Sequence, residues 1–480
     1  MDQGAVSPGR EADSPCDRKL AADRDVARRD RMNYHGAKNR RALRVAVVTT
    51  FYPPCNFGGD GNYIRNFVHS LARRGCEVEV IYDADAWRIG NSALRPPSTP
   101  ESVVHPAGVT VHQLQSRWPL ASTLLTHQTG RPIVQRSAIK AILAKGFDVV
   151  HFHNISLIGG PGVLALGDGI KLYTVHDHWL VCQNHILWRH DRELCDGREC
   201  FRCSVAFRRP PQPWRQTSLL EDELAHVDEV IALSQSVADR HRAFGLKRQM
   251  LAMASFMPDA AASPSQAPPG ASHHRPYFLF VGRLQRFKGL QDVIPCFGDD
   301  SSADLLIAGT GEYEPELRAM ADGRRTITFL GQVGPDQLVG LYRDAIALIA
   351  PSLCYEVFPM VALEAFREAT PIIARDLGPY PQIVEESQAG LLFDDEAGLR
   401  EAIVALATNP ELRDRLGASG QAVLAERWTE TIAINEWLAL VRSIAVRKGR
   451  NDTIRKIDAL ARASGSPVST NRRPAIEGAP

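Results

Sequence analysis

Two glutamates in the second half of the chain, Glu356 and Glu364, are spaced to bind one extended ligand. Pro359 is typical of the first position of a helix, which leaves Glu356 in the loop above the helix N-terminus. Glu364 then lies inside the helix, about two turns from that loop. Carboxylates displaced in this way can each accept hydrogen bonds from hydroxyl groups of the same ligand. The alternative is a partner for the helix dipole together with an ordinary surface glutamate.

Two cations and two glycines precede this pair and suit a phosphorylated ligand. Arg283 and Lys288 follow an apolar run, and a planar fork of donors beside a compact positive charge suits a diphosphate. Gly309 and Gly311 follow a second apolar run and open a helix near Glu314. Glycines let the backbone approach a ligand, and helix N-termini favour anions. Taken singly, each motif is also compatible with an ordinary surface turn.

Glycines and histidines follow the strands of the first half. Gly58 and Gly59 lie in a loop whose length and spacing do not fit G-x-G-x-x-G, which argues against a nicotinamide or flavin enzyme. His153, His176 and His178 each stand just after a predicted strand. A histidine at such a place can bond hydroxyls or exchange protons near neutral pH, whereas a buried core histidine is the alternative.

Four cysteines are concentrated in residues 182–203, namely Cys182, Cys195, Cys200 and Cys203. Four thiolates can complete a tetrahedral zinc shell, and C-x2-C is a common half-site. We therefore predict a structural zinc site, with disulfides as the alternative. The basic, aromatic residues 207–215 follow, and they suggest an acceptor pocket or a contact with a membrane surface, with a solvated loop as the default.

Short apolar runs alternate with helical patterns in both halves, and these elements must position the side chains named above. The predicted strands are residues 43–50, 77–81, 148–152, 171–175, 229–233, 277–281, 304–308, 327–330, 345–349 and 371–374. Such alternation predicts parallel α/β sheets with right-handed crossovers. Two doubly wound, Rossmann-like domains facing each other across a cleft are the economical interpretation. Ligands then bind at the carboxyl ends of the strands.

Composition shifts predict the domain boundaries. Residues 1–42 are expected to be a disordered tail, 43–257 the first domain with the cysteine-rich insertion 182–203, and 258–275 a Pro-rich linker. Residues 276–430 are expected to be the second domain, 431–447 a helix that crosses back to the first, and 448–480 a second disordered tail.

The overall composition excludes several classes of protein. The 480 residues are 44% apolar and 23% charged, the balance of a globular protein rather than a disordered chain or a disulfide scaffold. A net charge of +1 gives no field that points to nucleic acid. No apolar run approaches the ~18 residues of a membrane span. The first residues resemble neither a secretory signal nor a transit peptide, so we expect a cytoplasmic protein.

In their order and spacing, the motifs of the second half resemble those of the GT4-like retaining glycosyltransferases of the GT-B fold, and the likeness extends over residues 43–447. The matching motifs are 282–284 with 288–289, 309–311, the E-x7-E pair of Glu356 and Glu364, and the turn 376–378. One departure is visible, because the family usually has a glycine before the proline of the next strand, where this chain reads Ala369-Thr370-Pro371.

The resemblance implies a role for each matching residue of the second half. Arg283 and Lys288 would bind the diphosphate of a sugar nucleotide. Glu356 would touch hydroxyls of the transferred sugar and Glu364 those of the ribose, while Val333 would lie beside the base.

For the first half, the resemblance places Gly58 and Gly59 near the phosphates or the acceptor. His176 aligns with a His-Asp pair at the acceptor or sugar side and is the preferred histidine, ahead of His153 and His178. A structural role for the four cysteines is also favoured.

The expected function is that of a retaining glycosyltransferase, which moves a sugar from a nucleoside-diphosphate sugar to an acceptor hydroxyl in bacterial polysaccharide or glycoconjugate synthesis. The acceptor would be a glycan or a lipid-linked molecule, with peripheral contact to the inner face of a membrane. Transfer would require no cofactor. The alternatives are a nucleotide-sugar-binding scaffold without transfer activity, and an epimerase or phosphorylase of the same fold.

Overall fold

The computed structural model describes residues 42–56, 58–90, 103–197, 199–259 and 273–463. The predicted N-terminal tail, except Ala42, most of the predicted linker and residues 464–480 therefore lie outside the described residues.

The first domain is built on a parallel seven-stranded sheet. Its half of the chain contains the strands β1 Arg44–Thr49, β2 Glu77–Asp83, β3 Val109–Leu114, β4 Val149–Phe152, β5 Ile170–Val175, β6 Trp188–Arg189, β7 Glu193–Leu194, β8 Glu229–Ala232 and β9 Leu251–Ala252. The sheet order is β3-β2-β1-β4-β5-β8-β9, while β6 and β7 form a separate antiparallel hairpin in the cysteine-rich segment.

Helices cover both faces of this sheet. They are α1 Gly59–Arg73, α2 Ala84–Gly90, α3 Pro119–Thr129, α4 Arg136–Leu143, α5 Cys200–Ala206, α6 Leu219–Leu224 and α7 Gln235–Ala243. The apolar positions of α1 recur at helical spacing, so that Ile64, Phe67 and Leu71 are buried against the sheet. The central strands β4 and β5 are buried along their whole length, as their apolar sequences require.

The second domain repeats this architecture with a parallel six-stranded sheet of order β12-β11-β10-β13-β14-β15. Its strands are β10 Tyr277–Val281, β11 Asp304–Ala308, β12 Ile327–Gly331, β13 Leu348–Ala350, β14 Ile372–Arg375 and β15 Gly390–Phe393. Its helices are α8 Leu290–Val293, α9 Glu314–Met320, α10 Pro335–Arg343, α11 Met360–Arg367, α12 Tyr380–Ser387, α13 Glu396–Thr408 and α14 Pro410–Arg427. The prediction of two doubly wound α/β domains is confirmed.

Two further helices, α15 Glu430–Arg447 and α16 Asn451–Ala463, follow the second domain and pack on the first. Trp437 of α15 meets the Phe67 ring edge-on at 5.5 Å, and Ile457 of α16 is fully buried in the same core. Lys456 places its Nζ 3.0 Å from both carboxylate oxygens of Asp148, at the start of β4. The prediction of a disordered tail from residue 448 is therefore wrong for Asn451–Ala463, because this helix has an apolar face that the first domain buries.

Hydrogen bonds join the two domains at the loops that follow their strands. His178 Nε2 lies 3.0 Å from the backbone oxygen of Tyr355, and Ser234 Oγ donates to the backbone oxygen of Val357 at 3.0 Å. Both acceptors belong to the loop that precedes α11. The loop that holds Glu356 is thus fixed by contacts from both domains.

Candidate active site

A charged pair lies at the carboxyl ends of the second sheet. Lys288 Nζ is 2.5 Å from Glu356 Oε1, and the buried Ser352 donates its hydroxyl to the same oxygen at 2.6 Å. Lys288 ends a 3₁₀ turn after β10, whereas Ser352 and Glu356 stand in the loop between β13 and α11. The parallel sheet brings these two loops together because β10 and β13 are neighbours.

The pair keeps both groups charged in spite of their burial. Burial alone would raise the pKa of Glu356, but the Lys288 ammonium and the Ser352 hydroxyl lower it overall. Burial alone would lower the pKa of the Lys288 ammonium, but the Glu356 carboxylate raises it overall. Arg283 lies near enough to lower the pKa of Glu356 as well, but it is exposed and forms no ion pair with any described residue. Its guanidinium remains available for a bound anion.

Glycines are required where the loops of this domain pack on each other. A Cβ on Gly309, whose φ is 137°, would collide with the backbone oxygen of Gly282, and one on Gly311 would collide with that of Leu284. Gly289, with a φ of 76°, is packed equally closely against the backbone oxygen of Pro351. Gly309 and Gly311 therefore allow one loop to pack closely on the next, and this steric role adds to the ligand approach expected from the sequence.

Glu364 lies on α11 with its carboxylate held by a second helix. Tyr342 of α10 donates its hydroxyl to Glu364 Oε2 at 2.7 Å. Burial raises the pKa of Glu364, and the Tyr342 hydrogen bond and the Arg367 charge reduce this effect without cancelling it. The pKa of Glu364 is thus raised and that of Glu356 lowered, although the two residues lie on α11 and on the loop that leads into it.

The two remaining motifs of this domain border the same region. Val333 stands in the loop after β12 and is half-buried against the core of the domain. Gly378 has a φ of 65° and lies close to the backbone of Glu356. A Cβ on Gly378 would lie 3.3 Å from the backbone nitrogen of Glu356. The turn 376–378 therefore packs against the loop that carries Glu356.

The glycine loop of the first domain borders open space. A Cβ on Gly58 or Gly59 would meet no atom within 4 Å, although the φ of 90° at Gly58 favours glycine. The two residues precede and open the 15-residue helix α1, which has no side-chain cap. Asp60 lies in the first turn of α1. Burial and the Asp177 charge raise the pKa of the Asp60 carboxyl overall, whereas the Arg283 charge from the second domain lowers it. The glycine loop and Arg283 therefore border the same cleft.

A cluster of neutral histidines lies at the carboxyl ends of β4 and β5. His176 Nε2 and His153 Nδ1 are 2.9 Å apart, and the Tyr63 ring lies 5.1 Å from the His176 ring. Burial lowers the pKa of His176 to about 4 and that of His151 to about 3. One of the two facing nitrogens of His153 and His176 donates a hydrogen bond to the other. The tautomer of His176 in this bond decides whether its other nitrogen is a donor or an acceptor. This arrangement suits hydrogen bonding to a hydroxyl.

His178, the third candidate, contacts the second domain. Its ring stacks on that of His241 at 5.3 Å while its Nε2 faces the Tyr355 carbonyl. Burial lowers the pKa of His178 to about 4. The neighbouring Asp177 accepts a hydrogen bond from His185 Nδ1 at 2.6 Å and so holds the start of the cysteine-rich segment. His178 is thus a bridge between the domains.

The four cysteines line one small cavity, but the structure does not support the predicted zinc site. Within the described residues, no group of three or more His, Cys, Asp or Glu side chains is placed to hold a metal ion. Cys195 Sγ donates to the backbone oxygen of Gly197 at 3.1 Å, and Cys203 Sγ accepts from Asn184 Nδ2 at 3.3 Å. All four thiols are also free of disulfide bonds.

Some residues of the site were not identified from the sequence. They are Ser352 and Tyr342, which bond the two glutamates, and Asp60 and Tyr63, which lie beside the glycine loop and the histidines. Asp60 follows Gly59 directly, so its position in the first turn of a helix was a signal that could have been read. The contacts of Tyr342 and Tyr63 depend on packing between elements, for which the sequence carried no local signal.

Family models match both halves of the chain. The model described as "Glycosyltransferase Family 4" matches residues 57–252, and "Glycosyl transferases group 1" matches residues 264–423. Together they span the second sheet, the first sheet except β1, and most of the described residues.

Individual relatives agree with these models. A phosphatidyl-myo-inositol mannosyltransferase of Mycobacterium leprae is 32% identical over 178 residues, which are 35% of this chain and 46% of that protein. The match thus spans less than half the length of this relative. The sucrose-phosphate synthase of Thermosynechococcus elongatus is similar in structure with a TM-score of 0.62 at 21% identity, over 84% of this chain and 100% of that one.

A second solved structure, Anabaena HepE in complex with UDP and glucose, has a TM-score of 0.58 at 15% identity, over 84% of this chain and 100% of the other. At these identities the two solved structures bear on the fold alone. No helix in the described part of the chain has the length and apolar character needed to cross a membrane. The matched models, the two doubly wound domains and the motifs at their strand ends agree, and the chain belongs to the GT4-like glycosyltransferases of the GT-B fold.

Proposed function

We propose that this glycosyltransferase moves a sugar from a nucleoside-diphosphate sugar to a hydroxyl of a glycan or lipid-linked acceptor, with retention at the anomeric carbon. The observation that carries the proposal is the Lys288, Glu356 and Ser352 cluster, with the exposed Arg283 beside it. A diphosphate leaving group develops negative charge, which fixed cations and backbone donors stabilise without reorganisation. Lys288 and Arg283 supply the charge, and the open N-terminus of α1 supplies donors from the opposite domain.

The two glutamates then divide the donor between them. Glu356 remains ionised, so it accepts hydrogen bonds from hydroxyls of the transferred sugar. Glu364 lies further along α11 and accepts from the ribose, while Val333 borders the base. HepE, which has the same fold, was solved with UDP and glucose, which supports a nucleotide-sugar donor. Retention rests on the family resemblance, and no further carboxylate is assigned as a nucleophile.

The acceptor hydroxyl is assigned to the first domain. His176 is neutral at physiological pH, because burial lowers its pKa to about 4, and it faces the cleft beside Tyr63. A neutral imidazole whose inner nitrogen is fixed by His153 orients a hydroxyl by one hydrogen bond. Closure of the domains then excludes the water that would hydrolyse the donor.

Calorimetric titration of the full chain with UDP, GDP and ADP tests the proposal, with UMP as a control that lacks the second phosphate. We expect one diphosphate to bind selectively and UMP to bind at least about tenfold more weakly, because a charged hydrogen bond contributes about 1.5–3 kcal/mol. A transfer screen with sugars on the selected base would follow. Folded protein that binds none of the three diphosphates would contradict the proposal.

A further inference from the structure

One helix of the first domain is oriented with its polar side inward. The residues that α3 buries are Ser122, Thr123 and Thr126. Its leucines face outward, with Leu120 66%, Leu124 47% and Leu125 41% exposed. A surface helix of a globular domain ordinarily shows the opposite pattern.

Hydrogen bonds fix this orientation at both ends of α3. Before the helix, the backbone nitrogen of Ser116 donates to Asp85 Oδ2 at 2.9 Å, and after it Gln135 Nε2 donates to the same oxygen at 3.2 Å. Near the C-terminus, the Trp214 indole donates to the backbone oxygen of His127 at 3.0 Å. The helix therefore cannot rotate to bury its leucines without breaking these bonds.

The apolar surface continues beyond the helix. Trp118, just before α3, is 73% exposed, and Ile133 and Val134, just after it, are 52% and 37% exposed. We call Trp118, Leu120, Leu124, Leu125, Ile133 and Val134 together the α3 patch. Contiguous exposed apolar side chains of this kind mark an interaction surface.

The segment that carries the α3 patch has charges of one sign. Residues 103–147 contain five Lys and Arg residues and no Asp or Glu, although Arg131 and Lys145 pair with Glu223 and Glu79 of other segments. Arg117, Arg136 and Lys140 are exposed and form no ion pair with any residue that the structure describes. A second copy of this chain would bring two such basic surfaces together, which like-charge repulsion disfavours.

We propose that the α3 patch binds the surface of an anionic lipid bilayer. Leucines of a helix lying in the interface enter the boundary between headgroups and acyl chains, and a tryptophan at the edge occupies the headgroup level. Each Lys or Arg near an anionic surface adds to the attraction. The basic residues 207–215 border the same place, since Gln128 Nε2 donates to the backbone oxygen of Pro211 at 3.1 Å. The inference concerns a partner and does not depend on the identity of the donor.

Co-sedimentation of the full chain with vesicles tests this proposal, using phosphatidylcholine alone and phosphatidylcholine mixed with phosphatidylglycerol. We expect binding to the anionic vesicles only, with weakening as salt is added. The double variant Leu120→Ser/Leu124→Ser should bind at least about tenfold more weakly, because two apolar side chains are lost from the interface. Val404→Ser/Val446→Ser, at two exposed apolar positions on other helices, is the matched control and should bind normally.

A second pair of variants examines the charge. Arg117→Gln/Arg136→Gln should weaken binding to anionic vesicles, whereas Arg415→Gln/Arg447→Gln, at exposed arginines elsewhere, should not. Wild-type protein that stays unbound at low salt, or equal binding by the serine variant, would overturn the proposal. A dimer in light scattering that the serine variant dissociates would also overturn it, in favour of a second copy. UDP titration of each variant separates these outcomes from a failure of the proposed function.

Discussion

The two sides of the cleft use opposite electrostatic strategies. The second domain holds a charged pair in which Lys288 and Glu356 keep each other ionised, with a third charge on Arg283 beside them. The first domain presents His151, His153 and His176, all of which burial keeps neutral. A charged side is adapted to a diphosphate, and a neutral side is adapted to a hydroxyl. We therefore expect mutations in the second domain to affect donor binding and mutations in the first domain to affect acceptor positioning.

The largest effect is expected from the charged pair. Lys288→Met should lower kcat/KM for transfer by about 10²–10³-fold, because a preorganised charge at the leaving group is lost. Glu356→Gln and the double variant complete a cycle with UDP binding and urea unfolding as readouts.

The double variant discriminates between two roles of the pair. If Lys288 only neutralises Glu356, the double variant should recover both stability and UDP binding, because no buried charge is left unpaired. If Lys288 binds the diphosphate, stability should recover and UDP binding should not. Recovery of UDP binding would remove the proposed diphosphate contact.

A change on the neutral side should affect the rate and leave donor binding unchanged. His176→Ala should lower kcat by about 10²-fold, at the low end of the range for groups that position or move protons in catalysis. Calorimetric UDP binding should match that of wild type, since the contacts assigned to the diphosphate lie elsewhere. His226→Ala, at an exposed histidine, is the control. Weakened UDP binding in His176→Ala would end the division between the two sides.

The contribution of Arg283 should be measurable in donor binding. Arg283→Ala should weaken donor binding by about 1.5–3 kcal/mol, the contribution of hydrogen bonds to charged groups. Arg286→Ala removes an exposed arginine of the following turn and should leave the Kd unchanged. Equal Kd values for Arg283→Ala and wild type would show that the guanidinium does not touch the diphosphate.

The neutral histidines also make stability depend on pH. His151 has a pKa of about 3 when folded against about 6.5 when unfolded, so below pH 6.5 the unfolded state takes up a proton that the folded state does not. Its share of the free energy of unfolding should fall by about 1.4 kcal/mol for each pH unit between 6.5 and about 4. Asp83, whose pKa burial raises to about 7, acts in the opposite direction, so the histidine must be isolated by substitution.

Urea unfolding between pH 7 and 5 provides this measurement. His151→Gln should lose less stability over the interval than wild type, whatever its stability at pH 7. The exposed His226→Gln should leave the slope unchanged. A slope in His151→Gln equal to that of wild type would mean that His151 takes up its proton equally in the folded and unfolded states.

Parts of the fold were predictable because continuous apolar runs produce buried strands. The edge strands β3 and β15 escaped prediction. Strand β3 alternates apolar and polar residues, and β15 buries only one of its four residues. Helix α16 was missed although Ile454, Ile457 and Leu460 carry a helical period, since its polar composition resembled that of a tail. Composition is thus a weaker guide than periodicity where a helix docks on another domain.

The candidate site likewise contains residues whose positions the sequence predicts and residues whose contacts depend on tertiary packing. Glu356, Lys288 and Arg283 stand at strand ends, which parallel topology brings to one edge, so their proximity follows from the sequence. The Tyr342 hydroxyl at Glu364 depends on how α10 packs on α11, and a chain-local pattern does not encode it. The cysteine spacing suggested zinc, but the backbone of the segment directs the thiols to carbonyl and amide partners.

The smallest expected effect lies at the departure from the family pattern. Helix α11 ends at Arg367, and two residues later Ala369 has a φ of 57°, the left-handed conformation that glycine usually takes after a helix. That conformation costs an L-residue about 1–2 kcal/mol, and glycine in turn costs about 0.5–1 kcal/mol of unfolded-state entropy. Ala369→Gly should therefore stabilise the protein by under about 1 kcal/mol. Ala418→Gly, at an exposed position inside α14, should destabilise it by about the same amount. Unfolding midpoints that move in the same direction for both variants would show that the turn at Ala369 is relaxed, and that alanine substitutes for the family's glycine there without cost.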